Sequence, residues 1–240
     1  MRFTLKRIEK LIEQTLKEEP TGDDWLDARY DEQTKLLHHS NPYYRLFYLI
    51  AQELKPKTVV ELGGWQGTAA AHFASGRPEA TVISIDHHKD PGDAFNRMKM
   101  LDVVNRYGVN YLQGWTTPGY AEEYPEKGAV SVFEEAKQII GDDGIDILFI
   151  DSWHEGRYFK RDWDHYSPLL NSPALVICDD VFDNHIFVDQ IATFEALPGE
   201  KFINDAIHNG VPMGFIKYGV KRTTKARKPR KKRTTTEKAA

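Results

Sequence analysis

The chain has 240 residues, 40% of them hydrophobic and 12% aromatic, enough for one sizeable core and unlike a collagenous or wholly disordered polymer. A single cysteine, Cys178, excludes an intrachain disulfide and a zinc site built from several thiolates. The net charge of -4 is unevenly spread, because the last twenty residues, from Lys221, hold ten Lys and Arg against one Glu.

From the start, Leu5, Ile8, Ile12 and Leu16 recur at helical spacing and predict a helix over about 2–18. Glu9, Glu13, Glu18 and Glu19 in the same stretch argue against a transit peptide, and nothing there reads as a signal peptide. A second helix is predicted over about 42–54, with Ser40 or Asn41 as its cap and Pro42 in the first turn. No apolar stretch approaches the roughly 20 residues that span a bilayer, so the expectation is a soluble, cytoplasmic protein without a membrane span.

From Lys57 the pattern becomes short apolar runs alternating with amphipathic stretches. The runs are 58–61, 81–85, 109–112, 145–150 and 174–178, rich in β-branched residues. Continuous runs of this kind are strands of a parallel sheet buried on both faces. The stretches 69–74, 95–107, 130–140 and 158–170 supply crossover helices. Near the end, 201–206 and 213–218 flank Asn209-Gly210-Val211-Pro212, a turn signal for an antiparallel pair. The expected architecture is a Rossmann-like, doubly wound, mostly parallel seven-stranded sheet ending in an antiparallel hairpin. The division read from the chain is an N-terminal helical extension over 1–55 serving as lid or acceptor-pocket part, a cofactor-binding domain over 56–220, and a basic, disordered tail over 221–240.

Ligands of a doubly wound sheet bind beyond the carboxyl ends of its strands. The first run ends in Glu61, followed by Leu62-Gly63-Gly64-Trp65-Gln66-Gly67. Glycines there let the backbone approach a ligand and reach positive φ. The spacing is E-x-G-x-x-x-G, and no frame gives the G-x-G-x-x-G of a dinucleotide site. It resembles the first motif of class I S-adenosylmethionine-dependent methyltransferases, which implies S-adenosylmethionine as cofactor, with Glu61, Gly63, Gly64, Trp65 and Gly67 around it. Asp86, ending the second run, is placed to accept hydrogen bonds from ribose hydroxyls, and His87 follows it. Gly114 and Trp115, after the third run, lie where the superfamily packs adenine; Trp115 either stacks on it or is plain core.

Asp151-Ser152-Trp153-His154 follows the fourth run and Asp179-Asp180 follows the fifth. Both strand ends open onto one edge, where converging carboxylates repel unless a cation joins them. Oxygen donors of this kind suit a hard ion such as Mg²⁺, and His154 can accept a proton near neutral pH. With Tyr158, Asp162 and Pro168-Leu169-Leu170 the pattern resembles the metal-dependent sugar O-methyltransferase and cephalosporin-hydroxylase-like branch, over roughly residues 42 to 183. That resemblance implies Asp151, Asp179 and Asp180 as metal ligands and His154 as base, with Asp151 beside it in catalysis. Ser152-Trp153 replaces the branch's Gly-Asp, so Trp153 reshapes or fills the acceptor pocket. Ser172-Pro173-Ala174 replaces its Pro-Gly-Gly, far from the chemistry. His38-His39 are read as surface or lid residues.

The implied activity is methyl transfer to a hydroxyl of a small molecule, a sugar diol or a catechol. The alternatives are a metal-independent methyltransferase on another acceptor, and a non-catalytic cofactor-binding protein that holds nucleic acid or another polyanion by its basic tail. The sequence is also compatible with a homo-oligomer.

Overall fold

In a computed structural model, the described residues are 1–17, 20–28, 43–88, 91–185, 187–207 and 210–219. The cap expected at Ser40 to Pro42, the His38-His39 pair, Asn209 and the basic tail lie outside them. Helix α1 is Leu5–Thr15, where Thr4 caps the first turn by accepting the Arg7 N–H at 3.2 Å. Helix α2 is Tyr43–Leu54. Then come β1 (Thr58–Leu62), α3 (Thr68–Gly76), β2 (Thr81–Asp86), α4 (Ala94–Tyr107), β3 (Asn110–Gln113), α5 (Pro118–Glu123) and α6 (Phe133–Ile140). The chain continues through β4 (Ile145–Ile150), α7 (Gly156–Tyr166), β5 (Leu170–Cys178), α8 (Gln190–Ala196), β6 (Glu200–Asn204) and β7 (Met213–Tyr218).

The seven strands form one sheet in the order β3-β2-β1-β4-β5-β7-β6. The five from β1 to β5 pair in parallel, and β7 runs antiparallel to both β5 and β6. This is the architecture expected from the alternating apolar runs. Chain order reverses between β1 and β4, so the strand ends at Leu62 and Ile150 part the crossovers and leave a crevice there.

Alternate residues of the central strands feed two cores. Val59, Ile147, Phe149, Leu175 and Ile177 pack with α1, α2 and α3. Val60, Leu62, Leu148, Ile150, Val176 and Cys178 pack with α6, α7 and α8. Both faces are covered, which is why these strands read as unbroken apolar runs. Among the described residues, no helix is long and apolar enough to cross a membrane.

Helices α1 and α2 enter the same core as the sheet. On α2, Phe47 is fully buried, with ring centroids 4.7 Å from Phe73 on α3 and 4.8 Å from Phe149 on β4. This packing fixes α2 so that Tyr43 and Tyr44 reach the crevice. Phe47→Ala is therefore expected to cost about 3–5 kcal/mol of stability, read as a lower urea midpoint. A loss under about 1 kcal/mol would mean that α2 is only loosely docked.

Candidate functional site

A cavity of about 500 Å³ opens beyond the carboxyl ends of β1, β2 and β4. The expected residues Glu61, Gly63, Gly64, Trp65, Asp86, His87, Gly114, Trp115, Asp151, His154 and Asp180 all line it. Gly67 is not on its wall; with φ +77° it caps the N-terminus of α3.

The turn after β1 is held by backbone. The Gly63 and Gly64 N–H groups donate to the Ile85 carbonyl at 2.9 and 3.1 Å, and Gly67 N–H to the Gly64 carbonyl at 2.7 Å. Gly63 has φ +92°, and a Cβ there would overlap the Asp151 carbonyl oxygen. Glycine is needed both for the conformation and for the space. Trp65 also has positive φ, 41°, and its N–H donates to Asp86 Oδ2 at 2.7 Å.

Glu61 lies within β1, one residue before its end, and is almost wholly buried. Burial pushes its carboxyl up to about 8; the hydrogen bond from Ser84 Oγ opposes that rise and the nearby Asp86 adds to it. Asp86 keeps a carboxyl below the usual range. Burial raises it, but the hydrogen bond to His87, the His88 charge and the Trp65 N–H together outweigh burial. The His87 ring stacks on Trp115 with centroids 4.6 Å apart and planes 6° apart. Two buried polar atoms of cavity-wall residues, Thr68 Oγ1 and Trp115 Nε1, have no hydrogen-bond partner among the described residues. A polar ligand in the cavity would satisfy them, which fits the adenosyl and methionyl groups of the implied cofactor.

On the opposite wall the carboxylates gather. Asp151 carries a carboxyl raised well above its ordinary range, by burial first and then by Asp179, Asp180 and Glu61. It shares a hydrogen bond with the Asp179 carboxyl. The Nδ1 of His154 lies 2.8 Å from Asp180 Oδ2. Asp151, His154 and Asp180 each offer one donor atom, all within 4.8 Å of one another. Asp180 takes φ 52°, a left-handed conformation that directs its side chain away from the run of the strand. The grouped donors thus differ from the expected three carboxylates: His154 is in the group, while Asp179 lies against Asp151 and off the cavity wall. Adjacent residues at a strand end project differently. The donor set fits a divalent cation, since a positive charge relieves the crowding that raises Asp151.

Several cavity residues were not evident from the sequence. Tyr43 and Tyr44 line the cavity from α2, both buried, and burial raises both phenols, with Asp151 and Asp179 adding to the rise. An aromatic pair opening a helix signals equally a core face. Thr116 and Tyr120 complete a wall with Trp115 and Trp153. Trp153 stacks on Tyr124, centroids 5.2 Å and planes 13° apart, so it forms wall and leaves the cavity open.

The chain matches the methyltransferase domain family over residues 60–181 and belongs to that family. This family match and the sheet order β3-β2-β1-β4-β5-β7-β6 agree with the resemblance to class I S-adenosylmethionine-dependent methyltransferases. A tRNA (guanine-N(7)-)-methyltransferase of Neisseria meningitidis serogroup B is 33% identical over 107 residues, covering 45% of this chain and 38% of that protein. Another, from Paraburkholderia xenovorans, is 27% identical over 103 residues, covering 43% and 34%. The match thus spans little more than a third of these relatives' length. Among solved structures, an O-methyltransferase from Bacillus cereus in complex with SAH aligns with a TM-score of 0.55 at 14% identity, covering 88% of this chain and 100% of that one. A putative caffeoyl-CoA O-methyltransferase from Staphylococcus aureus gives 0.57 at 16% identity, covering 88% and 99%. At these identities the likeness is one of fold.

Two outcomes are expected. Gly63→Ala should weaken S-adenosylhomocysteine binding by on the order of 100-fold in calorimetry; unchanged affinity would remove the loop from the cofactor site. The second concerns pH. An acid whose folded pKa lies above its unfolded value binds more protons when folded, so stability falls as pH rises between the two values. Glu61 does this up to about 8. Buried His72, lowered to about 4 chiefly by desolvation, acts oppositely, but only below its ordinary 6.5. Between pH 6.5 and 8 the ligand-free protein should therefore lose stability, by on the order of 1 kcal/mol per pH unit from Glu61. Glu61→Gln should flatten that slope in thermal melts, and an unchanged slope would assign it elsewhere.

Proposed function

We propose that the protein methylates a hydroxyl oxygen of a small molecule carrying two adjacent hydroxyls, a sugar diol or a catechol, with a divalent cation such as Mg²⁺ taking part. The observation that carries the reading is the Asp151, His154 and Asp180 group on the wall of the same cavity as Glu61, Gly63 and Asp86.

Bound S-adenosylmethionine would supply an activated methyl group on a sulfonium, held by the Gly63 to Gly67 turn, with Asp86 at the ribose and His87, Gly114 and Trp115 around the adenine. A divalent cation held by Asp151 and Asp180, with Asp179 backing Asp151 from behind the wall, would supply acidification of a hydroxyl at neutral pH. His154 is the base. Asp180 accepts from its Nδ1 and fixes the ring, leaving Nε2 to take the acceptor proton. Asp151 supports the developing positive charge on His154. The protein's remaining task is to align acceptor oxygen and methyl carbon at about 3 Å, which falls to the walls formed by Tyr43, Tyr44, Trp115, Tyr120 and Trp153. The single buried Cys178 accords with a reducing, cytoplasmic setting.

A second reading is metal-independent methylation of a nucleic-acid base, favoured by the names of the curated relatives and by the basic residues from Lys221. The two readings separate on one assay. Methyl transfer to a catechol or sugar diol should vanish with chelator and return with Mg²⁺, whereas transfer to tRNA that is indifferent to chelator would establish the second. His154→Ala should lower the diol rate on the order of 10²-fold or more with cofactor affinity kept. A loss below about tenfold would leave His154 only a positioning role.

A further inference from the structure

Asp162 is a fully buried acid on α7, and none of the roles above uses it. Its carboxylate accepts from three hydroxyls on three separate segments. Thr116 Oγ1, in the loop after β3, donates to Oδ1 at 2.6 Å. Tyr120 on α5 donates to Oδ2 at 3.4 Å, and Ser152 Oγ, in the turn after β4, donates to the same oxygen. A buried acid without partners costs several kcal/mol; here the hydroxyls offset that cost while joining segments that share no strand pairing.

The joined turn is the one between Asp151 and His154. On one side, the Asp151 carbonyl and Ser152 Cα press against Gly63, where a Cβ would have no room. On another, the Ser152 side chain is tied to Asp162. The methyl-donor loop and the acidic turn are therefore set at a fixed separation, and Thr116 and Tyr120 of the aromatic wall are held by the same carboxylate.

We propose that Asp162 is a positioning residue that locks the 151–154 turn, and with it His154, against the cofactor loop and the aromatic wall. The rate consequence rests on the reading of His154 as base, but the locking itself does not. The test is hydrogen–deuterium exchange of the ligand-free full chain, comparing wild type with Asp162→Asn, Asp162→Ala and Ser152→Ala. Ser152→Ala removes a single hydroxyl, leaves Asp162 bonded to Thr116 and Tyr120, and covers the case in which the Asp162 variants fail to fold.

The expected result is amide exchange faster by roughly tenfold or more in segments 151–155 and 115–120, with β4 and β5 unchanged. S-adenosylhomocysteine affinity should stay within about threefold of wild type. Faster exchange throughout β4 and β5, or no change in the turn, would overturn the proposal by making Asp162 a general core residue or an idle one. With catechol as probe acceptor, kcat should fall about 10- to 100-fold in the order Ala below Asn, with the KM for S-adenosylmethionine unchanged. A fall in which that KM rises as much as kcat drops would overturn it too. If wild type does not methylate catechol at all, the catechol reading fails, and the exchange result still decides the role of Asp162.

Discussion

Everything at the site depends on the close approach of Gly63 to the backbone of Asp151. The two residues follow adjacent parallel strands, β1 and β4, and the Asp151 N–H donates to the Leu62 carbonyl at 2.8 Å. The sheet's own hydrogen-bond ladder thus extends one step beyond the strands and carries the cofactor turn and the acidic turn on the same register. A side chain at Gly63 would push them apart. With the two turns in contact, the carboxylates at 61, 86, 151 and 180 line one cavity.

That grouping has an electrostatic consequence. Glu61 and Asp151 are both raised, first by burial and then by acidic neighbours, whereas Asp86, given N–H donors and two nearby histidines, is lowered. Three acids on one sheet edge therefore divide by their donors. Asp86 is solvated by the protein itself; Glu61 has Ser84 and Ala70 but burial still raises it; Asp151 is raised by burial and by the acids at 179, 180 and 61. The last is the arrangement in which an added cation gains most, because a positive charge relieves the repulsion among the crowded carboxylates.

The fold was legible because its central strands are buried on both faces, and such strands can only be written as apolar runs. The β4 run 145–150 coincides with its strand, whereas β5 begins at Leu170, four residues ahead of its apolar run. Leu170 is drawn into the sheet by pairing with Ile145 of β4, across a register irregularity that precedes the Ile147–Leu175 pair, rather than by hydrophobic pattern. Helices α5 and α8, six and seven residues long, were not read, since so short a segment carries too little periodicity and forms through tertiary contacts. At the site, motif residues at strand ends were legible from spacing. Tyr43, Thr116 and Tyr120 were not, because their role follows from which elements meet. Trp115 was read as adenine-stacking or core; it is 95% buried yet on the cavity wall, and His87 already stacks on it. An entering adenine would have to share that face or displace the imidazole.

Charge bears on the choice between the two readings of the acceptor. The cavity wall carries Glu61, Asp86, Asp151 and Asp180 and, among the described residues, neither lysine nor arginine. Arg157 and Arg161, the cations at the rim of the aromatic cluster, are already paired with Glu155 and Glu123. A nucleic acid contributes a phosphate charge with each nucleotide, and its binding relies on basic side chains that neutralise those phosphates. The wall offers the opposite sign, so a polyanion would need its contacts elsewhere, from the basic residues beyond Lys221. A neutral diol meets no such barrier. The aromatic faces of Trp153 and Tyr120 share that wall with the acids, so an apolar surface and a set of oxygen donors stand side by side.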